Sequence, residues 1–228
     1  MSLGEPREHY ETVTSTNERA RQLAETGAPH GALVTAGEQT AGRGRQGRSW
    51  STPRGQAIAA SLVLRDYDSL LPLRAGLAVA DVVGPSALVK WPNDVWLDGK
   101  KVAGILVEAR QDPGWAVLGI GVNVAVDPAT LPPDAAEVAG TLGLSPDDVE
   151  PTLTRLLEAL EQRLGEESPV TLAALRERDA LLGKPVKWQD GEGTGAGIDD
   201  DGALRVTRDD GSTITLSAGE VTLTQRDS

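Results

Sequence analysis

Residues 87–126 read ALVKWPNDVWLDGKKVAGILVEARQDPGWAVLGIGVNVAV, and the fold is decided here. Apolar runs at 87–91, 95–97, 102–107 and 115–126 have the length of strands, with turn residues between them. Asp98-Gly99 separates the second run from the third. A two-residue connection of this type favours a hairpin, because both residues tolerate the positive φ that a tight turn between twisted strands requires. Lys100-Lys101 follow directly and offer a way to lengthen that turn.

Working outward toward the N-terminus, residues 10–14 look extended. Ser15 then opens a helix, with Glu18 at the reciprocal capping-box spacing. Ala20, Leu23 and Ala24 make its apolar face, and Gly27 ends it. A strand at 32–36 runs into residues 38–50, which have no hydrophobic period and read as a loop. Residues 56–64 form a further strand, and Leu73, Leu77 and Ala80 sit at helical spacing in a segment ending near Gly84.

Toward the C-terminus, residues 127–146 hold four prolines and little periodicity, which predicts a surface connection. Pro151 suits the first position of a helix carrying the stripe Leu153, Leu156, Leu157, Leu160 and Leu164. Leu172, Leu175 and Leu182 suggest another helix after Pro169. From Gly183 the texture changes to short strands at 184–188, 193–198, 203–207, 213–216 and 220–224, separated by Gly and Asp turns, as in a small β-barrel. The expected organisation is an α+β domain over residues 1–182, a mixed sheet with flanking helices, followed by a small β-barrel over 183–228.

Composition narrows the chemistry. The 228 residues carry 22 Lys and Arg against 34 Asp and Glu, a net charge of -12, so the overall field repels nucleic acid. Cysteine is absent, which removes disulfides, thiolate nucleophiles and zinc-thiolate clusters, and agrees with a reducing cytoplasm. No run approaches the roughly 20 apolar residues of a membrane span, and no signal-peptide pattern opens the chain. The two histidines, His9 and His30, lack the close second histidine of zinc sites, and no G-x-S-x-G elbow occurs. What remains is chemistry run by Lys, Arg, Asp, Asn and backbone amides.

Three segments are candidates for it. Residues 42–50, GRGRQGRSW, bring glycines that let amides approach a phosphate and arginines that donate charge-assisted hydrogen bonds. Such a segment is also compatible with a solvated linker or an RNA-contacting patch. It is neither a Walker loop nor a dinucleotide fingerprint. Lys90-Trp91-Pro92-Asn93-Asp94 places a cation, an amide and a carboxylate at a strand end, where proline restricts Trp91; a plain Asn-Asp turn is the other reading. Lys101, close beyond, points either into the same cleft or to solvent. Gly119-Ile120-Gly121-Val122-Asn123 interrupts an apolar strand with glycines, through close approach of a ligand or through a bulge. Ser15-Thr16-Asn17 is sufficiently explained as a helix cap.

In this order and spacing, GRGRQGRSW, KWPNDV, KVAGILVE and GIGVN resemble the biotin–protein ligase family. The resemblance covers residues 15–123 with specific motifs and continues more weakly through the C-terminal barrel. It implies the class II synthetase-like catalytic fold with an SH3-like barrel, and an ATP-dependent reaction through biotinyl-5'-AMP that ends on a lysine of a biotin carboxyl carrier protein. By the same resemblance, Ser15, Thr16, Asn17 and Gln39 match the biotin-binding positions. Arg43, Gly44 and Arg45 match the ligand-binding loop, mobile when empty, with Arg45 expected to restrain the adenylate. Lys101 matches the lysine that contacts the biotin carboxylate and the α-phosphate. Trp50 matches an aromatic associated with adenine, Asn123 a polar contact near the nucleotide, and Arg48 and Asn93 fall in the nucleotide-binding set. Asp94 is expected to orient a ligand or a metal-bound phosphate. Mg²⁺ is expected with the ATP phosphates, with no protein ligand assigned.

The chain departs from the family at Gln46, where many relatives carry arginine, and at Ser49, where some carry lysine. Only about ten residues precede the first expected strand, too few for the winged helix of bifunctional relatives, so no operator binding is expected. A monomer or a homodimer is compatible with the sequence. A lipoate–protein ligase lacks the GRGRQGR and KWPND combination, and a non-catalytic biotin sensor sits poorly with retained Lys101.

Overall fold

The computed structural model describes residues 3–50, 53–112 and 114–224. Strand β1 (Arg7–Tyr10) leads through helix α1 (Thr16–Glu25) to β2 (Leu33–Ala36), which lies parallel to it. β3 (Ala57–Leu64) returns antiparallel to β2. α2 (Leu71–Val83) carries the chain to the far edge. From there β4 (Leu88–Lys90), β5 (Asp94–Leu97), β6 (Lys100–Arg110) and β7 (Trp115–Asn123) meander back until β7 pairs with β3. The sheet order is β1-β2-β3-β7-β6-β5-β4, mixed through its one parallel pair.

The Asp98-Gly99 signal is realised as a two-residue turn. Both residues have positive φ, 50° and 74°, and Leu97 pairs with Lys100. Lys100 and Lys101 therefore begin β6 instead of lengthening the turn. The predicted strand at 10–14 lies earlier, as β1, and Val13 makes only an isolated bridge to Gln39.

β3 and β7 are buried at every residue, because α1 packs on one face of both, while α4 and the core leucines of α2 close the other. That is why they read as unbroken apolar runs and not as alternating ones. Under α1, Ala20 and Ala24 pack with Val34, Val63, Trp115 and Val117. On the opposite face Leu77 belongs to the larger core with Leu62, Ile105 and Leu118, where truncation of one leucine costs about 2–5 kcal/mol.

Beyond the sheet come the short α3 (Pro133–Val138), then α4 (Val149–Leu164) and α5 (Ser168–Glu177). Pro151 is the third residue of α4, not the first. A capping box between Ser145 and Asp148 has already started the turn that enters the helix. Leu182 lies outside α5 and is exposed, since the chain turns at Asp179, whose Oδ1 accepts from the Leu181 amide. The C-terminal strands β8 (Pro185–Trp188), β9 (Gly191–Ile198), β10 (Leu204–Thr207), β11 (Thr213–Leu216) and β12 (Thr222–Leu223) form an antiparallel sheet in the order β11-β10-β9-β8-β12. This is the small SH3-like unit. Trp91 Nε1 donates to Gly202 O and Lys90 Nζ to Val221 O, which seats it against the end of β4. Among the described residues, no helix is long and apolar enough to cross a membrane.

Candidate active site

The glycines of β6 and β7 make the floor of a cleft. Gly104 faces Gly121 across the two strands and Leu106 faces Gly119, so positions of one parity leave a shallow trough. A Cβ on Gly119 would lie 2.0 Å from Asn17 Oδ1, and one on Gly121 would lie 2.4 Å from Trp50 Cε2. These glycines are sites of close approach, not bulges.

At one end of the trough stands a polar cluster. Ser15 caps α1 by accepting from the Glu18 amide at 3.5 Å, which points Thr16 and Asn17 inward, nearly buried. Gln39 Oε1 accepts from the Thr16 amide (2.8 Å) and hydroxyl (3.0 Å). Ser61 Oγ, fully buried on β3, lies 2.8 Å from Thr16 Oγ1 and 2.7 Å from Asn17 Oδ1. Asn17 Nδ2 donates to Glu108 Oε2 at 2.9 Å. The cluster is built to present amide and hydroxyl groups in fixed directions.

At the other end cations gather. Residues 42–50 fold back on themselves, with Gly44 N donating to Arg48 O (2.7 Å) and Trp50 N to Gly42 O (2.8 Å). Gln46 takes a left-handed conformation, φ 54°, at the tip. The indole of Trp50 lies on Gly104 and Gly121, and Lys101 Nζ stands 5.7 Å from its ring centre. Each cation has a partner on another element. Arg43 pairs with Glu108 (3.0 Å), Arg48 with Glu220 (2.7 Å) and Lys101 with Asp94 (2.7 Å). Arg45 donates to Asn93 Oδ1 and to Gly219 O, both at 3.0 Å.

Polar cluster, glycine floor and cations enclose one cleft of about 460 Å³. Ser15, Thr16, Asn17, Gln39, Arg43, Gly44, Arg45, Arg48, Trp50, Asn93, Lys101 and Asn123 all line it. Asp94 does not. It sits behind Lys101, between that ammonium and Lys90, so its contact is with a cation and not with the cleft. Lys90 is buried, and desolvation holds its pKa below the ordinary lysine value, with the Asp94 charge opposing the shift.

Residues 127–146 are more than a surface connection. Leu131, Ala135 and Val138 form a wall of the cleft, and Asn123 Nδ2 holds this segment by donating to Gly140 O at 2.9 Å. Asn123 Oδ1 is buried with no partner among the described residues. Sequence reasoning missed this wall because its helix, α3, is too short to show a period. It also missed Ser61 and Glu108. Ser61 was recognisable only as the one hydroxyl in an apolar strand. Glu108 shares the parity of Gly104 and Leu106, and that parity was the available signal.

A mixed sheet with a glycine-floored, cation-rimmed cleft and a small C-terminal barrel defines a class of ligand-activating enzyme domain, and comparison with known proteins places the chain within it. Residues 10–127 match the Biotin/lipoate A/B protein ligase family, and residues 181–223 match the Biotin protein ligase C terminal domain. The chain belongs to the biotin/lipoate A/B protein ligase family. It is 38% identical to the biotin–[acetyl-CoA-carboxylase] ligase of Mycobacterium tuberculosis, over 91% of this chain and 85% of the relative. It is 32% identical to the bifunctional ligase/repressor of Bacillus subtilis, over 95% of this chain and 74% of the relative. Its fold superposes on the biotin protein ligase of Aquifex aeolicus in complex with biotin and ATP with a TM-score of 0.79, at 28% identity, covering 97% of this chain and all of the other.

Proposed function

We propose that the protein activates biotin with ATP to biotinyl-5'-AMP and pyrophosphate, and then transfers the biotinyl group to a lysine of a biotin carboxyl carrier protein. The observation that carries this reading is one cleft with a hydrogen-bonding end, formed by Thr16, Asn17 and Gln39, and a cationic end, formed by Arg45 and Lys101. A cyclic urea offers donors and an acceptor to the first; the dithiolane of lipoate has no comparable groups. The family membership and the biotin- and ATP-bound relative support the same assignment.

In the first step a biotin carboxylate oxygen bonds to the α-phosphorus and the bond to the pyrophosphate oxygen breaks. Two anions must meet, so the demand is for charge placed in advance. Lys101, held by Asp94, and Arg45, held by Asn93, serve as that charge. Trp50 and the wall at 131–139 enclose the adenine side, with Arg48 and Asn123 as further nucleotide contacts. Arg43 and Gly44 close over biotin, beyond Ser15. We assign Mg²⁺ to the substrate, carried on the ATP phosphates whose charge it neutralises. In the second step the neutral ε-amine of the acceptor attacks the activated carbonyl and AMP leaves. No side-chain nucleophile of this chain is required.

We assign residues 1–182 to catalysis and 183–228 to the barrel, a division supported by the break between the two sheets. The lack of cysteine suits a reducing, cytoplasmic setting. The deciding measurement is pyrophosphate release from MgATP. Biotin should elicit it and lipoate should not, and release with lipoate alone would replace this reading.

A further inference from the structure

The polar end of the cleft and the ligand loop meet on one side chain. Glu108 Oε2 accepts from Asn17 Nδ2 at 2.9 Å and Oε1 accepts from Arg43 Nη1 at 3.0 Å. We propose that Glu108 is a positioning residue that fixes the Asn17 amide and fastens the entering limb of the 42–50 loop to it, which sets affinity for biotin without taking part in the chemistry. The inference rests on the reading of the cleft as a biotin site.

The amide of Asn17 has two possible orientations, and its surroundings allow one. Its oxygen lies over Gly119 within 2.7 Å of the Ser61 hydroxyl, and its nitrogen faces a carboxylate that can only accept. With the amide reversed, its oxygen would oppose the Glu108 charge. Glu108 thus dictates which hydrogen-bonding edge Asn17 turns toward a ligand, and its other oxygen draws Arg43 to the same spot. The carboxylate is partly exposed, 29%, as is Arg43, 38%, so the ion pair is of the weak surface kind. Its effect is to bias a loop, and a loop bias appears in ligand affinity and in loop opening, not in the rate of bond making.

Glu108→Gln separates the two contacts, since a glutamine oxygen still accepts from Asn17 while its amide nitrogen faces Arg43; Glu108→Ala removes both. With unchanged thermal melts as the folding control, Gln is expected to raise the KM for biotin about fivefold and Ala about tenfold, with kcat within about twofold. A second readout needs no ligand. Trypsin should cut the ligand-free loop after Arg43, Arg45 or Arg48 about threefold faster in Glu108→Gln than in the wild type. Unchanged KM in both variants, a fall in kcat at constant KM, or equal cleavage rates would each overturn the proposal. If wild-type protein released no pyrophosphate with biotin, the functional reading would fail, and the trypsin comparison would still judge Glu108.

Discussion

Lys101 Nζ lies 2.7 Å from Asp94 Oδ1, and Asp94 Oδ2 lies 3.9 Å from the buried Lys90 ammonium. One carboxylate thus lies between two cations. The bound ion pair keeps Lys101 directed along the trough, beside Trp50, instead of outward to solvent. Lys101→Ala is therefore expected to slow single-turnover adenylate formation about 10²- to 10³-fold while biotin affinity changes by less than tenfold. Quenched-flow measurement of pyrophosphate checks this, and an unchanged rate would remove Lys101 from the chemistry. Asp94→Asn keeps the shape and loses the charge, so a smaller fall in the same rate is expected.

Arg45 is anchored at two points, on Asn93 of the β4–β5 connection and on the Gly219 carbonyl of the C-terminal unit. Glycine at this position removes both anchors and a cation. The adenylate should then escape, and Arg45→Gly should label bystander lysines that the wild type leaves untouched. Biotin detection on an added unrelated protein reads this out; labelling confined to the carrier domain would mean that Arg45 has no part in retention.

Much of this site was legible because its parts are local. GRGRQGRSW, KWPND and GIGVN each form a turn or strand end whose glycines and prolines mark unusual backbone, and each contributes to one cleft, KWPND through Asn93 alone. What escaped was set by pairing across the sheet. Neither the side to which Lys101 points nor the place of Asp94 behind it can be read from their spacing, since a register shift at Val95/Trp96 intervenes. Ser61 lies in a strand buried on both faces, where alternation carries no signal. The fold followed the same division. Strands near the Asp98-Gly99 turn were readable from the turn itself, whereas the parallel pairing of β1 with β2 depends on a crossover through α1.

Asp179 gives a pH signature where the two sheets join. Burial raises its carboxyl pKa above the ordinary 3.8, against the opposing effect of the Leu181 and Leu182 amides. The folded state then holds its proton at pH values where the unfolded chain has lost it. The contribution of Asp179 to stability is present below pH 3.8 and declines as pH rises through the folded value. Asp179→Asn cannot ionise. Relative to that variant, the wild type should be most stable at low pH, lose ground as pH rises above 3.8 and level off only beyond the folded-state value. Paired urea titrations between pH 3.5 and 7.5 test the sign, and a wild type that gained on the variant with rising pH would contradict it.

Gly119 and Gly121 share one strand face yet serve opposite ends of the trough, so alanine at each should have a different consequence. An added Cβ at Gly119 meets Asn17 Oδ1 at 2.0 Å and Asn17 Cγ at 2.8 Å, and Asn17 has little room because Ser61 and Glu108 hold both sides of its amide. Gly119→Ala should therefore displace the polar end and raise the KM for biotin at least about tenfold. At Gly121 the Cβ meets Trp50 Cε2 at 2.4 Å and Nε1 at 2.6 Å, and the indole belongs to the loop, which can shift. Gly121→Ala should move Trp50 and raise the KM for ATP about tenfold, with a change in tryptophan emission and a smaller effect on biotin. Steady-state KM values for both substrates in the two variants decide the matter. The floor is one surface with two functions only if the penalties separate; equal losses for both substrates in both variants would mean that either alanine collapses the whole cleft.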